Sequence, residues 1–113
     1  MAELVDADPD AEPSTRVQID AHVDPSGTQI VTLGGELDSS NASSLAAAVA
    51  PITAQQPQRL IFDLADLSFM DSAGIAVLIN TTTKTSVSLR NPSPIIRRVL
   101  EASGLADVLP IES

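Results

Sequence analysis

Ser72 stands in the stretch FMDSAG, where an acid and a hydroxyl interrupt the apolar run LIFDLADLSFMDSAGIAVLI. A serine beside a carboxylate can be a nucleophile, a helix cap or an acceptor for a phosphate. Nucleophilic use needs a base within reach, because serine is weak at its own pKa. The chain has one histidine, His22, which falls on the polar face of an early strand and would have to cross to the helix side of the sheet to serve Ser72. DSAG also lacks the G-x-S-x-G pattern of the strained nucleophile turn, so hydrolase chemistry is not supported. Capping is sufficient as a structural role. Asp71 or Ser72 can accept from the N–H groups two or three residues on, worth about 1 kcal/mol. A phosphate on Ser72 is compatible with that role, since free N–H groups and the helix dipole favour negative charge at a helix N-terminus.

The remaining constellations exclude more than they suggest. Asp38, Asp63, Asp66 and Asp71 lie near strand or loop ends, as the acids of a phospho-accepting receiver domain do. A receiver also needs acids clustered after its first strand to hold Mg²⁺, and a late supporting lysine. Here the first strand ends in HVDPSG, and Lys84 is the sole lysine. LGGE at 33–36 has glycines without the following helix of a phosphate loop and reads as a tight strand end. With no cysteine and one histidine, thiol chemistry and a thiolate or histidine metal centre are excluded, and no cofactor is expected. A formal charge of −9, six Lys plus Arg, two Phe and neither Trp nor Tyr argue against a nucleic-acid surface.

These residues need a scaffold, and 113 residues with 43% hydrophobic content suffice for one domain with a real core. Residues 1–15 hold five of the fifteen acids and few large apolar groups, which predicts a disordered acidic tail before a domain at 16–113. RVQIDAHV alternates Val17, Ile19, Ala21 and Val23 against polar residues and predicts a half-exposed strand. DPSG then turns the chain into TQIVTLGG, giving a hairpin. Asp38, Ser39, Ser40 and Asn41 are N-cap candidates for a helix with Leu45, Ala48, Val49 and Ile52 on one face and Pro51 near its end. PQRLIFDLADL, apolar on both faces, predicts a third strand at the centre of the sheet. The helix after Ser72 is expected to run two turns or slightly more, until Thr81 to Thr83 weaken it. SVSLRN predicts a fourth strand. The last helix has Ser93 as N-cap, Pro94 at its first position, Gly104 at C′ and Leu105 poised to pack on Leu100 in a Schellman ending. An extended piece near VLPI follows. The fold class is α/β, in the order β-β-α-β-α-β-α, with a mixed sheet of four to five strands packed against helices. The N-terminus has neither a basic nor an apolar signal region, and no segment approaches a bilayer span, so a soluble cytoplasmic protein without membrane insertion is expected.

GELD at 35–38, LIFDLADLSFMDSAG at 60–74 and NPSPIIRRVLEASGL at 91–105 occur together in an order that resembles the STAS domain family. The likeness is specifically to its stand-alone bacterial anti-sigma factor antagonists, over about residues 16–111. The resemblance implies a binding module rather than an enzyme. Its partner would be an anti-sigma factor of the serine-kinase type, which phosphorylates the serine matching Ser72 and is then released. A protein phosphatase would be the resetting partner. The match also implies a partner surface made by Asp38, Asp71, Ser72, Ala73, Gly74 and Ile75, with Ala73 replacing the second serine of the usual D-S-S-G. Against the family pattern the segment between GIAVLI and NPSP is about five residues short, which removes roughly a turn of helix. The chain also stops at PIES, where family members continue into a closing helix, a gap that a homodimer would fill. The competing reading is a STAS-like regulatory subunit of an ATP-driven membrane transport complex, with the same helix face docked and Ser72 unmodified.

Overall fold

The computed structural model describes residues 16–105 and 107–112. The acidic segment 1–15 lies outside them. Four strands and three helices follow one another as β1 (Val17–Val23), β2 (Gln29–Leu37), α1 (Ala42–Ala54), β3 (Leu60–Met70), α2 (Ser72–Thr82), β4 (Val87–Arg90) and α3 (Pro94–Ala102). The sheet order is β1-β2-β3-β4, the element order and mixed architecture that the sequence predicts. β1 pairs antiparallel with β2 through the DPSG turn, where Asp24 Oδ1 accepts from the Ser26 and Thr28 N–H groups at 2.9 and 3.0 Å. β2, β3 and β4 then run parallel. Each parallel step moves the chain in the same direction across the sheet, so the right-handed crossover rule puts α1 and α2 on one face, where they lie side by side.

That face carries the core. Val31, Leu33 and Leu37 of β2, Leu60, Phe62 and Leu64 of β3, and Leu89 of β4 are fully buried against Leu45 and Val49 of α1, Leu78 of α2 and Ile96 and Leu100 of α3. β3 has strand neighbours on both sides, and Ile61 is buried on its opposite face beside its register partner Ile30. The helices pack on the core face, and beyond Ile61 the opposite face of β3 is half-buried at Asp63 and exposed at Ala65, so β3 is apolar on both faces only at its start. β1 departs from its predicted alternation. Val17 is buried and Ile19 half-buried, but Ala21 and Val23 are exposed because this edge strand outruns its cover.

The helix ends follow local chemistry. Ser93 Oγ accepts from the Ile96 N–H at 3.2 Å with Pro94 at the first helical position. At the far end Gly104, at φ +71°, donates to the Glu101 carbonyl at 3.1 Å, and Leu105 donates to the Leu100 carbonyl at 3.2 Å. That pair of bonds is the Schellman ending expected from the sequence. α2 runs longer than expected, about three turns. The hydroxyls of Thr81 and Thr82 donate to the Val77 and Ile79 carbonyls, at 2.8 and 2.5 Å, and burial of Leu78 and Thr81 against the core keeps this last turn helical. The extended piece after α3 contributes one parallel bridge, Ile111 beside Leu89, and Glu112 there forms ion pairs with Arg90 and Arg59. No described helix is long and apolar enough to cross a membrane.

Phe62, the largest fully buried side chain, fills the centre of the parallel sheet. Replacing it with alanine is expected to lower the unfolding free energy in urea by about 3–5 kcal/mol. A loss below about 1 kcal/mol would contradict a continuous core at this point.

Candidate functional site

The site forms where β2 and β3 end together. Leu37 and Met70 are register partners, so Asp38 and Asp71 leave the sheet side by side at the C-terminal ends of parallel strands. That edge is where open α/β sheets place their sites. The Asp71 N–H donates to the Leu37 carbonyl at 3.1 Å and pins the start of α2 to the end of β2.

Asp71, in extended conformation, is the N-cap of α2, and its Oδ1 accepts from the Ala73 and Gly74 N–H groups at 2.9 and 3.3 Å. Capping therefore belongs to Asp71 alone. Ser72 is the first helical residue and exposed, and its hydroxyl makes no hydrogen bond among the described residues. Ala73 is half-buried, while Gly74 and Ile75 face inward. Both are buried and seat the helix against the strand ends. A Cβ on Gly74 would come within 2.7 Å of Leu37 Cδ2 and 2.9 Å of Met70 Cγ, so only glycine lets α2 approach the strand ends this closely.

Asp38 closes a tight turn. Its Oδ1 accepts from the Ser40 hydroxyl at 2.5 Å and the Ser40 N–H at 2.9 Å, and Arg16 stands 3.7 Å from its other oxygen. The Ser40 hydroxyl bond above all, then the Ser40 N–H and the Arg16 charge, hold the carboxyl below the usual aspartate range. Asn41 is the N-cap residue of α1, yet its side chain does not cap. Fully buried, it turns back to donate to the Glu36 carbonyl and to accept from the Asp38 N–H, both at 2.9 Å. Arg16 also pairs with Glu36 at 2.8 Å.

Phe69 is the surface feature that sequence reasoning missed. Strict alternation along β3 would bury it with Leu67, but it is 45% exposed, three residues before Ser72. The β2–β3 register slips twice, between Thr32 and Gly34 and between Gly35 and Glu36, and each slip gives β3 one extra residue. Such irregularities re-aim side chains. Burial then falls on Leu64, Leu67 and Met70, and Phe69 is turned out. The Ser68 hydroxyl donates to the Gly35 carbonyl at 3.0 Å at the second slip. The only advance signal was a phenylalanine in a chain that has two. Among the described residues no cluster of His, Asp or Glu could hold a metal ion.

An exposed hydroxyl thus stands at the start of a capped helix, next to the Asp38 turn where two parallel strands end together. The STAS domain model matches residues 18–113, and the chain belongs to the STAS domain family. It is 31% identical over 67 residues to the anti-sigma-F factor antagonist RsfB of Mycobacterium tuberculosis, a match covering 59% of this chain and 55% of that relative. The matched part thus spans about half of RsfB. The crystal structure of an anti-sigma factor antagonist from Mycobacterium paratuberculosis superposes with a TM-score of 0.77 at 26% identity, covering 93% of this chain and 88% of that one. The Bacillus cell fate determinant SpoIIAA in its phosphorylated form superposes with a TM-score of 0.65 at 25% identity, covering 85% of this chain and 92% of that one.

Three outcomes test this geometry. Gly74→Ala is expected to cost about 1–3 kcal/mol through overpacking against Leu37 and Met70, and Asp71→Ala about 1 kcal/mol through loss of the cap, both read by denaturant unfolding. The Asp38 carboxyl should titrate below an ordinary aspartate when followed by carbonyl NMR shifts, and Ser40→Ala should raise its midpoint. Because its folded-state pKa is depressed, its contribution to stability is complete above the unfolded aspartate value of about 3.9 and lost as the pH falls through the folded-state value. An unmoved midpoint in Ser40→Ala would refute the assigned cause.

Proposed function

We propose that this protein is an anti-sigma factor antagonist: unmodified, it binds an anti-sigma factor through the surface around Ser72, and phosphorylation of Ser72 releases that partner. The observation that carries the reading is the free, exposed hydroxyl at the start of α2, with capping assigned wholly to Asp71. The family relationship and the names of the relatives supply the class of partner.

The chemistry of such a switch derives from the same atoms. Ser72 has no base within the site, so a kinase must bring its own base, Mg²⁺ and ATP, and this protein is the substrate. A phosphate adds about −1.5 to −2 charge at neutral pH. The N–H groups of Ala73 and Gly74 that would receive it are already taken by Asp71. The new charge therefore stands outward beside a carboxylate, on a surface that a partner must desolvate. A penalty of about 3 kcal/mol there corresponds to a hundredfold loss of affinity. Phe69 and Ala76, exposed on either side of Ser72 in sequence, supply apolar contact, while Gly74 and Ile75 hold the helix in place from below.

Incubation with an anti-sigma kinase and MgATP should place one phosphate on Ser72, mapped by mass spectrometry. Ser72→Ala should keep wild-type affinity for the anti-sigma factor, and Ser72→Glu should lose at least tenfold. Phe69→Ala should weaken binding with little loss of stability. No phosphate on Ser72, together with equal binding by Ser72→Ala and Ser72→Glu, would sink the switch and favour a docked transporter subunit.

A further inference from the structure

A concave feature lies between α1 and α2, beginning at Ala76, one turn along the helix from Ser72. Its volume is about 650 Å³, inside the range of roughly 300–1,000 Å³ typical of small-molecule sites. Ala46, Ala50 and Ala76 are small enough to leave the space open, and Val49, Val77 and Ile79 form apolar walls. It spans Ala46 to Thr53 on one helix and Ala76 to Lys84 on the other, a length of about 12 Å at the helical rise.

Its polar atoms are distributed unevenly. The hydroxyls of Thr53, Thr81 and Thr83 donate to the Ala50, Val77 and Asn80 carbonyls of their own helices, at 3.1, 2.8 and 2.7 Å. With those donors engaged, the threonines add little polarity to the groove. Two donor groups remain, the Asn80 amide and the Lys84 ammonium, four residues apart where α2 ends. Lys84 is the one charged residue lining the groove, and it forms no ion pair among the described residues.

We infer that the α1–α2 groove binds a medium-chain aliphatic carboxylate, its alkyl chain between Ala46, Ala50, Ala76 and Val77 and its carboxylate on Lys84 and Asn80. An apolar trough ending in a cation and an amide donor complements a chain with one anionic head. A free acid of this length matches the groove, whereas a bilayer surface would need a broad basic face. The groove shares Ala76 with the surface proposed around Ser72, but carboxylate binding there requires no phosphate on Ser72 and is read without the switch.

The test titrates the full-length protein with decanoate below its micelle concentration, reading amide NMR shifts, with decanol and anionic phosphatidylglycerol vesicles as parallel arms. Saturable shifts at Ala46, Ala50, Ala76, Val77 and Lys84 are expected. Lys84→Ala should weaken decanoate at least fivefold and leave decanol unchanged. Ala50→Leu, verified as folded by its melting curve, should abolish binding of both. No saturable shifts, equal decanoate affinity in Lys84→Ala, or full binding in folded Ala50→Leu would overturn the assignment. So would stronger binding to vesicles than to decanoate. Concentration-dependent shifts of the same residues without ligand would give the groove to a second copy of the chain, and would overturn it too.

Discussion

The pairing of Leu37 with Met70, at the point where two parallel strands end together, is the constraint on which the other features of the site depend. Parallel strands require a helical crossover between them, so the segments leaving each strand emerge on the same edge. β2 leads into the Asp38 turn and β3 into the Asp71 cap. One backbone bond, from the Asp71 N–H to the Leu37 carbonyl, joins the two. Gly74 then allows α2 to lie against both strand ends without a side chain between them.

The two acids at this edge do different work. Asp38 is engaged by Ser40 and Arg16 and keeps a turn closed, whereas Asp71 satisfies the first donors of a helix. Each carboxylate thus has a structural role at the strand ends. Buried Asn41 ties the Glu36 carbonyl to the Asp38 backbone and so holds the turn from beneath. Around the exposed Ser72 hydroxyl, the polar groups on either side are already committed to local structure.

Much of this was legible from the chain. The DPSG hairpin, the Ser93 cap and the Gly104–Leu105 ending each arise from local rules that the structure obeys. The choice between Asp71 and Ser72 as cap was not legible, because both side chains are competent acceptors and one residue of phase decides. Asn41, one of four candidates, is the N-cap residue of α1, but the direction of its side chain was not legible for a related reason. A capping side chain can serve the turn behind it as readily as the helix ahead, and only the tertiary position of Glu36 selects between them. Phe69 was hidden by two register slips, which depend on the partner strand and leave no mark in the periodicity of β3 alone. The length of α2 was underestimated because propensity counts the local cost of threonine and not the burial of Leu78 and Thr81 against the core.

The unbonded hydroxyl of Ser72 has a consequence for time as well as for binding. A group that holds no part of the fold together can be esterified and freed again with little change in how long the molecule survives proteolysis or heat. Under the switch proposed above, the two forms, when unbound, would then share one lifetime, and the record of the signal would lie in a single covalent bond. Turnover would not erase one form faster than the other, so an enzyme would have to do so.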